Sequence, residues 1–330
     1  MGSKSQRVID MGNNRQKKVL CFGLVMADVL VSGLKRLPRN WEEMVVGESS
    51  VIAVGGGAAN SARTFAKLGE PVDLLGRVGG DYFGTFVKND TEACKVNCSA
   101  LLLDREHTTG VALGLVHKDG NRCFVTVQGA NAAMDKTDFE RIDFDDYDFM
   151  HINGFFQFPG IEPDLKGIIE EVHKRGGRVS LDTASSDPFG RWFTAVEPFI
   201  HCVDYLFLNK SQLLLMAGKE TVDQGAEAML EAGVKHVIVK LGQEGCLIYG
   251  PEAPVHVPAM RIEAVDTTGA GDSFDAAYIA GLRRGWSQEQ CARLANTVAG
   301  MNCCHLGSTA GVPDWNIAME RMKLFYGAED

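Results

Sequence analysis

The sequence DTTGAGDSFDAAYIAG, Asp266–Gly281, contains a bend of small residues between two aspartates. Gly269, Ala270 and Gly271 form this bend, and the aromatic and aliphatic residues after it recur at every fourth position, which predicts a helix. Main-chain N–H groups at such a helix start are accessible because no bulky side chain covers them, and the helix dipole adds positive charge there. We expect these N–H groups to form an anion hole.

Asp272 falls in the first turn of the predicted helix, beside the anion hole. A carboxylate in this position can accept the proton of an attacking hydroxyl while the N–H groups stabilise the charge on a transferring phosphoryl group. An aspartate after a glycine turn is also a common helix cap. The local pattern alone therefore leaves both interpretations open.

Length, charge and composition exclude several functional classes. The chain has 330 residues, of which 45% are hydrophobic and 23% charged, as is typical of a soluble globular protein with a substantial core. A net charge of −10 argues against a nucleic-acid partner, because phosphate backbones require clustered Lys and Arg. No apolar run reaches the ~18 residues of a membrane span, so we expect no membrane partner. Scattered cysteines predict reduced thiols and a cytoplasmic location.

Short apolar runs alternate with longer helical patterns, which predicts an α/β fold with a mostly parallel central sheet. The predicted strands cover residues 18–23, 72–79, 147–154, 177–183, 203–209, 235–242 and 261–265, and the main predicted helices cover residues 59–69, 163–174, 221–232 and 287–304. In a sheet of this kind, ligands bind at the carboxyl ends of the strands.

Residues 28–54 and 110–129 interrupt this alternation with additional strand-forming sequence. The second segment predicts a hairpin with its turn at Asp119 and Gly120. Together the two segments predict a small β-sheet lid over the site, with two independent surface hairpins as the alternative. We expect one domain over residues 18–313, an N-terminal arm or leader at 1–17, and a C-terminal helix at 314–330.

Two long motifs resemble the signatures of one enzyme family. Residues 266–282 are similar to the C-terminal signature of the ribokinase-like (PfkB) carbohydrate kinases. Residues 54–84, VGGGAANSARTFAKLGEPVDLLGRVGGDYFG, resemble the N-terminal signature of that family and lie about 200 residues earlier. Two signatures in the family's order are more specific than a lone glycine run. The resemblance covers residues 19–313 and implies a ribokinase-like three-layer sandwich.

The resemblance implies an ATP-dependent kinase that transfers the γ-phosphoryl group to a hydroxyl, expected to be primary, of a sugar or sugar acid. It implies ATP, Mg²⁺ and a monovalent cation such as K⁺ as cofactors, and Asp272 as the general base. The other implied site residues are Gly269, Ala270 and Gly271 for the anion hole; Asp28, Gly56, Gly57, Asn60 and Asn131 for the substrate; Asn209, Lys240, Gly242, Gly245, Thr268 and Asn296 for the nucleotide; and Asp266, Thr268, Gly307 and Gly311 for the monovalent cation.

The sequence departs from the family pattern at several positions. Gln212 stands where a glutamate near Mg²⁺ is usual, so we expect a working kinase with an altered Mg²⁺ requirement. Met26 and Gly57 replace an asparagine and a lysine of ribokinases proper. The apolar segment Gly154–Phe158 occupies a region where a ribose-binding glutamate would be expected. Ribose itself is therefore not supported as the substrate.

Three further interpretations stay open on the sequence. One is a nucleoside kinase of the same fold, with Phe155 and Phe156 stacking on a base; the alternative for these phenylalanines is core packing. Another is a non-catalytic sensor that binds sugar or nucleotide without turnover. The third concerns assembly, because exposed lid edges would allow a homodimer.

Overall fold

The computed structural model describes residues 16–119, 121–183 and 190–327. The strands are β1 (Lys18–Gly23), β2 (Met26–Leu34), β3 (Ser49–Gly55), β4 (Val72–Gly79), β5 (Leu101–Asp104), β6 (Gly110–His117), β7 (Arg122–Val127), β8 (Tyr147–Asn153), β9 (Arg178–Asp182), β10 (Tyr205–Asn209), β11 (His236–Lys240), β12 (Cys246–Tyr249) and β13 (Val255–Val257). The helices are α1 (Gly57–Lys67), α2 (Tyr82–Ala93), α3 (Leu165–Lys174), α4 (Lys210–Ala217), α5 (Val222–Glu231), α6 (Ala270–Arg283), α7 (Gln288–Cys303) and α8 (Trp315–Tyr326). Nearly all of the predicted N-terminal arm, and the predicted turn residue Gly120, lie outside the described residues.

Nine strands form one large sheet in the order β13-β12-β11-β10-β9-β8-β1-β4-β5. Neighbouring strands from β11 to β5 run parallel, and β12 and β13 extend the sheet in antiparallel pairing. The predicted mostly parallel sheet is therefore confirmed. Because the parallel strands share one direction, their carboxyl ends meet at a single edge of the sheet.

Helices cover both faces of the large sheet. Alternate strand residues point to opposite faces, so Val19 and Cys21 pack with α1, α6, α7 and α8, whereas Leu20 and Phe22 pack with α3, α4 and α5. Each fully buried apolar side chain stabilises the fold by roughly 1.5–3 kcal/mol relative to an exposed one. The predicted three-layer sandwich is confirmed.

A separate four-stranded sheet, which we call the lid, has the order β3-β2-β6-β7. The alternative of two independent hairpins is wrong, because β2 pairs in parallel with β6 and joins the two segments. Strand alternation divides the residues between two faces: Asp28 and Ala112 lie on one, and Val29 and Leu113 lie on the other.

The predicted strand at residues 261–265 is wrong. These residues are exposed and have no regular secondary structure. The N–H groups of Val265 and Asp266 bond to the main-chain oxygen of Cys303, at the end of α7, instead of to a strand. An alternating pattern is not sufficient for a strand where no neighbouring strand pairs with it. None of the helices within the described ranges combines the length and apolar character needed to cross a bilayer.

Candidate active site

Asp272 lies in the first turn of α6, which begins at Ala270. Gly269 precedes the helix with a φ of 71°, a left-handed conformation that favours glycine. A Cβ atom on Gly269 would lie 2.1 Å from the main-chain oxygen of Ser308, so a larger residue would not fit against this loop. The first N–H groups of a helix lack acceptors within the helix, but the N–H of Ala270 donates to the main-chain oxygen of Thr267 at 3.3 Å. The predicted anion hole therefore stays a prediction that would depend mainly on the N–H groups of Gly269 and Gly271.

Two amides hold the carboxylate of Asp272. Asn60, on α1, donates from Nδ2 to Oδ2 at 2.8 Å, and Asn153, at the end of β8, donates from Nδ2 to Oδ1 at 3.1 Å. Ser61 donates from Oγ to the main-chain oxygen of Asp272 at 3.3 Å. Two separate elements, α1 and β8, therefore converge on the predicted base. The predicted contact of Asn60 with substrate stays a prediction.

The carboxyl groups of Asp272 and Asp28 have perturbed acidities. Burial, followed by the charge of Asp182, raises the pKa of Asp272 to about 6, although hydrogen bonds from Asn60 and Asn153 oppose the shift. Burial, followed by the charge of Asp272, raises the pKa of Asp28 to about 6. A carboxylate with a pKa near 6 is mostly ionised at neutral pH and is a stronger base than an ordinary aspartate.

The glycine run leaves space for groups of the protein itself. A Cβ atom on Gly55 would lie 2.2 Å from Oδ1 of Asp28, and one on Gly57 would lie 1.7 Å from Oδ1 of Asn153. Gly56 has a φ of 89°, and a Cβ atom there would lie 2.3 Å from the main-chain oxygen of Leu24. These glycines therefore allow Asp28 and Asn153 to approach the main chain. Direct contacts of Gly56 and Gly57 with substrate stay predictions.

Asn131 is fully buried and bonds to main-chain groups. Its Oδ1 accepts from the N–H of Val25 at 3.0 Å, and its Nδ2 donates to the main-chain oxygens of Val25 and Gln128, both at 2.9 Å. In the structure, Asn131 fixes the chain between β1 and β2, just before Asp28. Its predicted substrate contact stays a prediction.

Asn209 and Gln212 form a capping box at the start of α4. Gln212 donates from its N–H to Oδ1 of Asn209 at 2.9 Å, and Oε1 of Gln212 accepts from the N–H of Asn209 at 2.6 Å. Either glutamine or glutamate can make this reciprocal contact at the third helical position. The substitution therefore changes the charge at this position without removing the cap.

Gly245 and Asn296 both support the end of β13. A Cβ atom on Gly245, which has a φ of 93°, would lie 2.0 Å from the main-chain oxygen of Val257. Asn296 donates from Nδ2 to the oxygens of Val257 and Pro258 at 3.1 and 3.3 Å. Among the described residues, and apart from its own chain neighbours, no atom lies within 4 Å of a Cβ position on Gly242. The predicted nucleotide contacts of these residues stay predictions.

Lys240, predicted along the nucleotide, makes ion pairs at the end of β11. Its Nζ lies 2.7 Å from Oδ2 of Asp182, at the end of β9, and 3.0 Å from Oδ1 of Asp275, on α6. The two carboxylates keep the lysine charged and raise its pKa despite burial. Burial also raises the pKa of Asp275 well above its usual range.

The residues predicted to bind a monovalent cation surround one loop. Oδ1 of Asp266 accepts from the N–H and Oγ1 of Thr268 at 2.9 and 2.7 Å, and Oδ2 accepts from the N–H of Gly307 at 3.0 Å. Oδ1 of Asn302 accepts from the N–H of Gly311 at 3.2 Å. Asp266 therefore joins the two chain segments that flank the start of α6.

Phe155 and Phe156 belong to the hydrophobic core. Both are fully buried, and their ring centroids lie 5.3 Å apart at a tilted angle. The core-packing interpretation is confirmed, and the alternative of stacking on a nucleoside base is wrong. Phe155 packs edge-on against Phe158 and Phe199, and Phe156 packs edge-on against Trp192.

Sequence reasoning did not identify Asn153, Asp182 and Asp275 as site residues. Asn153 and Asp182 are the last residues of neighbouring parallel strands, where ligand-facing side chains are expected. Asp275 lies three positions after Asp272 and therefore on the same helix face. These positional signals were present in the sequence.

Comparisons with known proteins agree with the fold and the two signatures. The family model for the pfkB family carbohydrate kinases matches residues 16–315. A ribokinase of Arabidopsis thaliana is 30% identical over 319 residues, which cover 93% of this chain and 81% of the relative. A nucleoside kinase of Methanothermobacter thermautotrophicus is 25% identical over 275 residues, or 83% of this chain and 86% of the relative.

The solved structure of Arabidopsis thaliana ribokinase complexed with ribose and ATP has a TM-score of 0.81 and 27% identity, covering 93% of this chain and 99% of that chain. Together with the family match over nearly the whole described chain, this similarity shows both fold and family. The chain therefore belongs to the pfkB family of carbohydrate kinases and is a phosphotransferase.

Proposed function

We propose that this protein transfers the γ-phosphoryl group of ATP to a hydroxyl, in particular a primary hydroxyl, of a sugar or sugar acid, with Asp272 as general base. The observation that carries the proposal is the placement of Asp272. It lies in the first turn of α6, beside the Gly269–Gly271 bend, with both carboxylate oxygens held by amides. The ATP complex of the similar Arabidopsis ribokinase supports ATP as the donor.

The proposed step needs one base and one anion site. Asp272 accepts the hydroxyl proton as the substrate oxygen forms a bond to the γ-phosphorus, and the bond from that phosphorus to the bridging oxygen breaks to release ADP. N–H groups of the Gly269–Gly271 bend stabilise the transferring group together with the positive end of the α6 dipole. The amides of Asn60 and Asn153 keep Asp272 oriented.

Mg²⁺ and a monovalent cation are part of the proposal. Within residues 16–119, 121–183 and 190–327, no group of three or more His, Cys, Asp and Glu residues is arranged to hold a metal ion. We propose that Mg²⁺ would be held mainly by ATP phosphates and water, where it would neutralise phosphate charge. The carboxylate of Asp266 and the carbonyl groups of its loop are the oxygen donors that a cation such as K⁺ would take.

A nucleoside substrate remains the second candidate, because the Methanothermobacter relative is a nucleoside kinase. Phe155 and Phe156 give it no support, since both are buried in the core. A panel of sugars, sugar acids and nucleosides, assayed for ADP release with ATP and Mg²⁺, separates the two classes. Binding without any turnover across the panel would instead favour the sensor.

We further propose a homodimer formed through the lid and a cytoplasmic location. On the outer lid face, Ile52, Val29, Leu113 and Val125 lie side by side across the four strands. Of these, Ile52, Leu113 and Val125 are 44%, 38% and 62% exposed. A second copy would cover this apolar row. Nine free cysteines support a reducing compartment.

The test of the proposed base is Asp272→Asn. The amide cannot accept the substrate proton, so we expect ADP release to fall on the order of 10²-fold or more, with little change in the KM for ATP. Asp145→Asn, an exposed carboxylate paired with Arg175, is the matched control and should keep full activity. Unchanged phosphorylation by Asp272→Asn would show that another residue acts as the base.

A further inference from the structure

A row of polar side chains lies behind the proposed base. Asn153, Asp182 and Lys240 end the parallel strands β8, β9 and β11, so all three occur at the carboxyl edge of the large sheet. Helix α6 crosses this edge, and Asp272 and Asp275 lie three residues apart on its sheet-facing side. Strand ends and helix thus bring five functional groups to one place.

Within this row, Asp182, Lys240 and Asp275 form a buried triad of ionisable groups. Nζ of Lys240 lies 2.7 Å from Asp182 and 3.0 Å from Asp275. The side chains of Lys240, Asp182 and Asp275 are 13%, 8% and 0% exposed. Buried ion pairs rarely stabilise a fold more than apolar residues of the same volume would. Stability therefore gives no sufficient reason for three ionisable groups here.

The triad also touches the bend that carries the anion hole. A Cβ atom on Gly271 would lie 3.3 Å from Nζ of Lys240, so the ammonium group lies directly under the main chain of this residue. Asp275 belongs to the same helix as Asp272, one turn further along. Lys240 therefore lies against α6 at two places, beside Gly271 and at Asp275.

We propose that Asp182, Lys240 and Asp275 form a positioning unit that orients Asp272 and sets the electrostatic potential at its carboxylate. This inference rests on the proposed role of Asp272 as general base. None of the three residues needs to touch ATP or the substrate for this role. It differs from the nucleotide contact that the family resemblance implies for Lys240.

The charges around Asp272 have opposite effects. Asp182, at the end of β9, raises the pKa of Asp272, and Lys240 lowers it, in addition to the effect of burial. Asp28 faces the base from the lid. His151 lies behind Asn153, and burial lowers its pKa to about 4, so the imidazole is neutral near pH 6. Removing Asp182 or Lys240 should therefore change the basicity of Asp272 in opposite directions.

The experiment compares Asp182→Asn with Lys240→Met over a range of pH, with kcat/KM and kcat measured at each value. In the pH profile, the acid limb is the range in which activity falls as Asp272 becomes protonated. We expect this limb to move to lower pH in Asp182→Asn and to higher pH in Lys240→Met, each by about one pH unit. The KM for ATP should change by less than about twofold in Lys240→Met while kcat falls. Carbon-13 NMR titration of the Asp272 carboxyl group should show the same shifts without catalysis.

The matched control is Lys235→Met. Lys235 precedes β11 at the opposite edge of the sheet and pairs with the buried carboxylate of Asp204 at 2.6 Å. It should leave the acid limb in place. If Lys240→Met does not fold, the double variant with Asp182→Asn removes both charges, and its acid limb should return close to that of the wild type.

Two results would contradict the positioning unit. In the first, both single variants keep the acid limb of the wild type, and the NMR titration of the Asp272 carboxyl group does not shift either. In the second, Lys240→Met greatly raises the KM for ATP and leaves kcat unchanged. That result would assign Lys240 to nucleotide binding. Both leave the proposed function standing as long as Asp272→Asn is inactive, whereas an active Asp272→Asn removes the base itself.

Discussion

At the residue scale, Asp272 combines interactions that oppose each other. The amides of Asn60 and Asn153 donate to its two oxygens and favour the charged form. Burial and the charge of Asp182 disfavour that form and raise the pKa to about 6. The carboxylate is therefore oriented and ionised at neutral pH. Keeping this charge buried lowers the free energy of unfolding.

We predict that Asp272→Asn stabilises the fold at neutral pH. The pKa of Asp272 is above its usual value of 3.8 in the folded state, so the folded protein binds more protons than the unfolded chain between about pH 4 and 6. Wild-type stability therefore falls as pH rises through this window, and the asparagine lacks this effect. Above pH 6 the gain should approach about 3 kcal/mol, since each unit of pKa difference corresponds to about 1.4 kcal/mol.

Thermal unfolding of both proteins from pH 4 to 8 measures this gain. Asn60 can accommodate the new amide of the Asp272→Asn variant. The Oδ1 of Asn60 is buried and accepts no hydrogen bond from the described residues, so a flip of the Asn60 side chain would turn this oxygen towards the new amide. The difference in Tm should shrink towards pH 4. A wild type that is more stable than Asp272→Asn at pH 7.5 would contradict the raised pKa.

At the element scale, the start of α4 has a structural role, and its side chains also set the local charge. Asn209 and Gln212 satisfy each other's main-chain N–H groups, which removes two unpaired donors from the first turn. The helix follows β10 directly, so its start lies at the carboxyl edge of the sheet. The neutral amide of Gln212 thus occupies a place where the family resemblance implies a negative charge.

We predict that Gln212→Glu keeps the cap and lowers the Mg²⁺ concentration needed for half-maximal activity. The carboxylate can accept from the N–H of Asn209 as the amide does, so the free energy of unfolding should change by less than about 0.5 kcal/mol. Gln212→Ala removes the side-chain acceptor and should lose about 1 kcal/mol. Titrating Mg²⁺ against rate tests the prediction, and identical curves for wild type and Gln212→Glu would contradict it.

At the scale of the whole molecule, the two faces of the lid point towards different surroundings. Asp28 lies on the face turned towards Asp272, whereas the neighbouring residue Val29 lies on the outer face. The outer face carries a continuous apolar row from Ile52 to Val125. A lid that contributes Asp28 to the site on one side and joins a second subunit on the other would couple assembly to the position of Asp28.

We predict that Leu113→Glu combined with Val125→Glu converts the dimer to a monomer. The two residues face each other across β6 and β7, so paired carboxylates would repel each other and oppose burial of the apolar row. Sedimentation or light scattering measures the mass. Leu324→Glu on α8, where Leu324 is 71% exposed, is the control and should not change it. A wild-type protein that is monomeric at micromolar concentration would remove the proposed interface.

Local sequence patterns predicted much of the fold and pointed to Asp272 as the candidate base. Six of the seven predicted strands of the large sheet exist, because each is a short apolar run bounded by turn residues. The predicted strand at 261–265 failed because strand formation depends on a neighbour that sequence alone does not show. Asp272 was identifiable because its bend, helix and carboxylate are contiguous along the chain.

The sequence by itself therefore determined the α/β class, the two family signatures and the position of Asp272. Tertiary structure decided which side chains surround it, because Asn153 and Asp272 are 119 positions apart, and Lys240 and Asp182 are 58 apart. It also assigned Phe155 and Phe156 to the core and Gly57 to a packing role beside Asn153. Contacts at such separations depend on how parallel strands align at one edge, and no local spacing in the chain records that alignment.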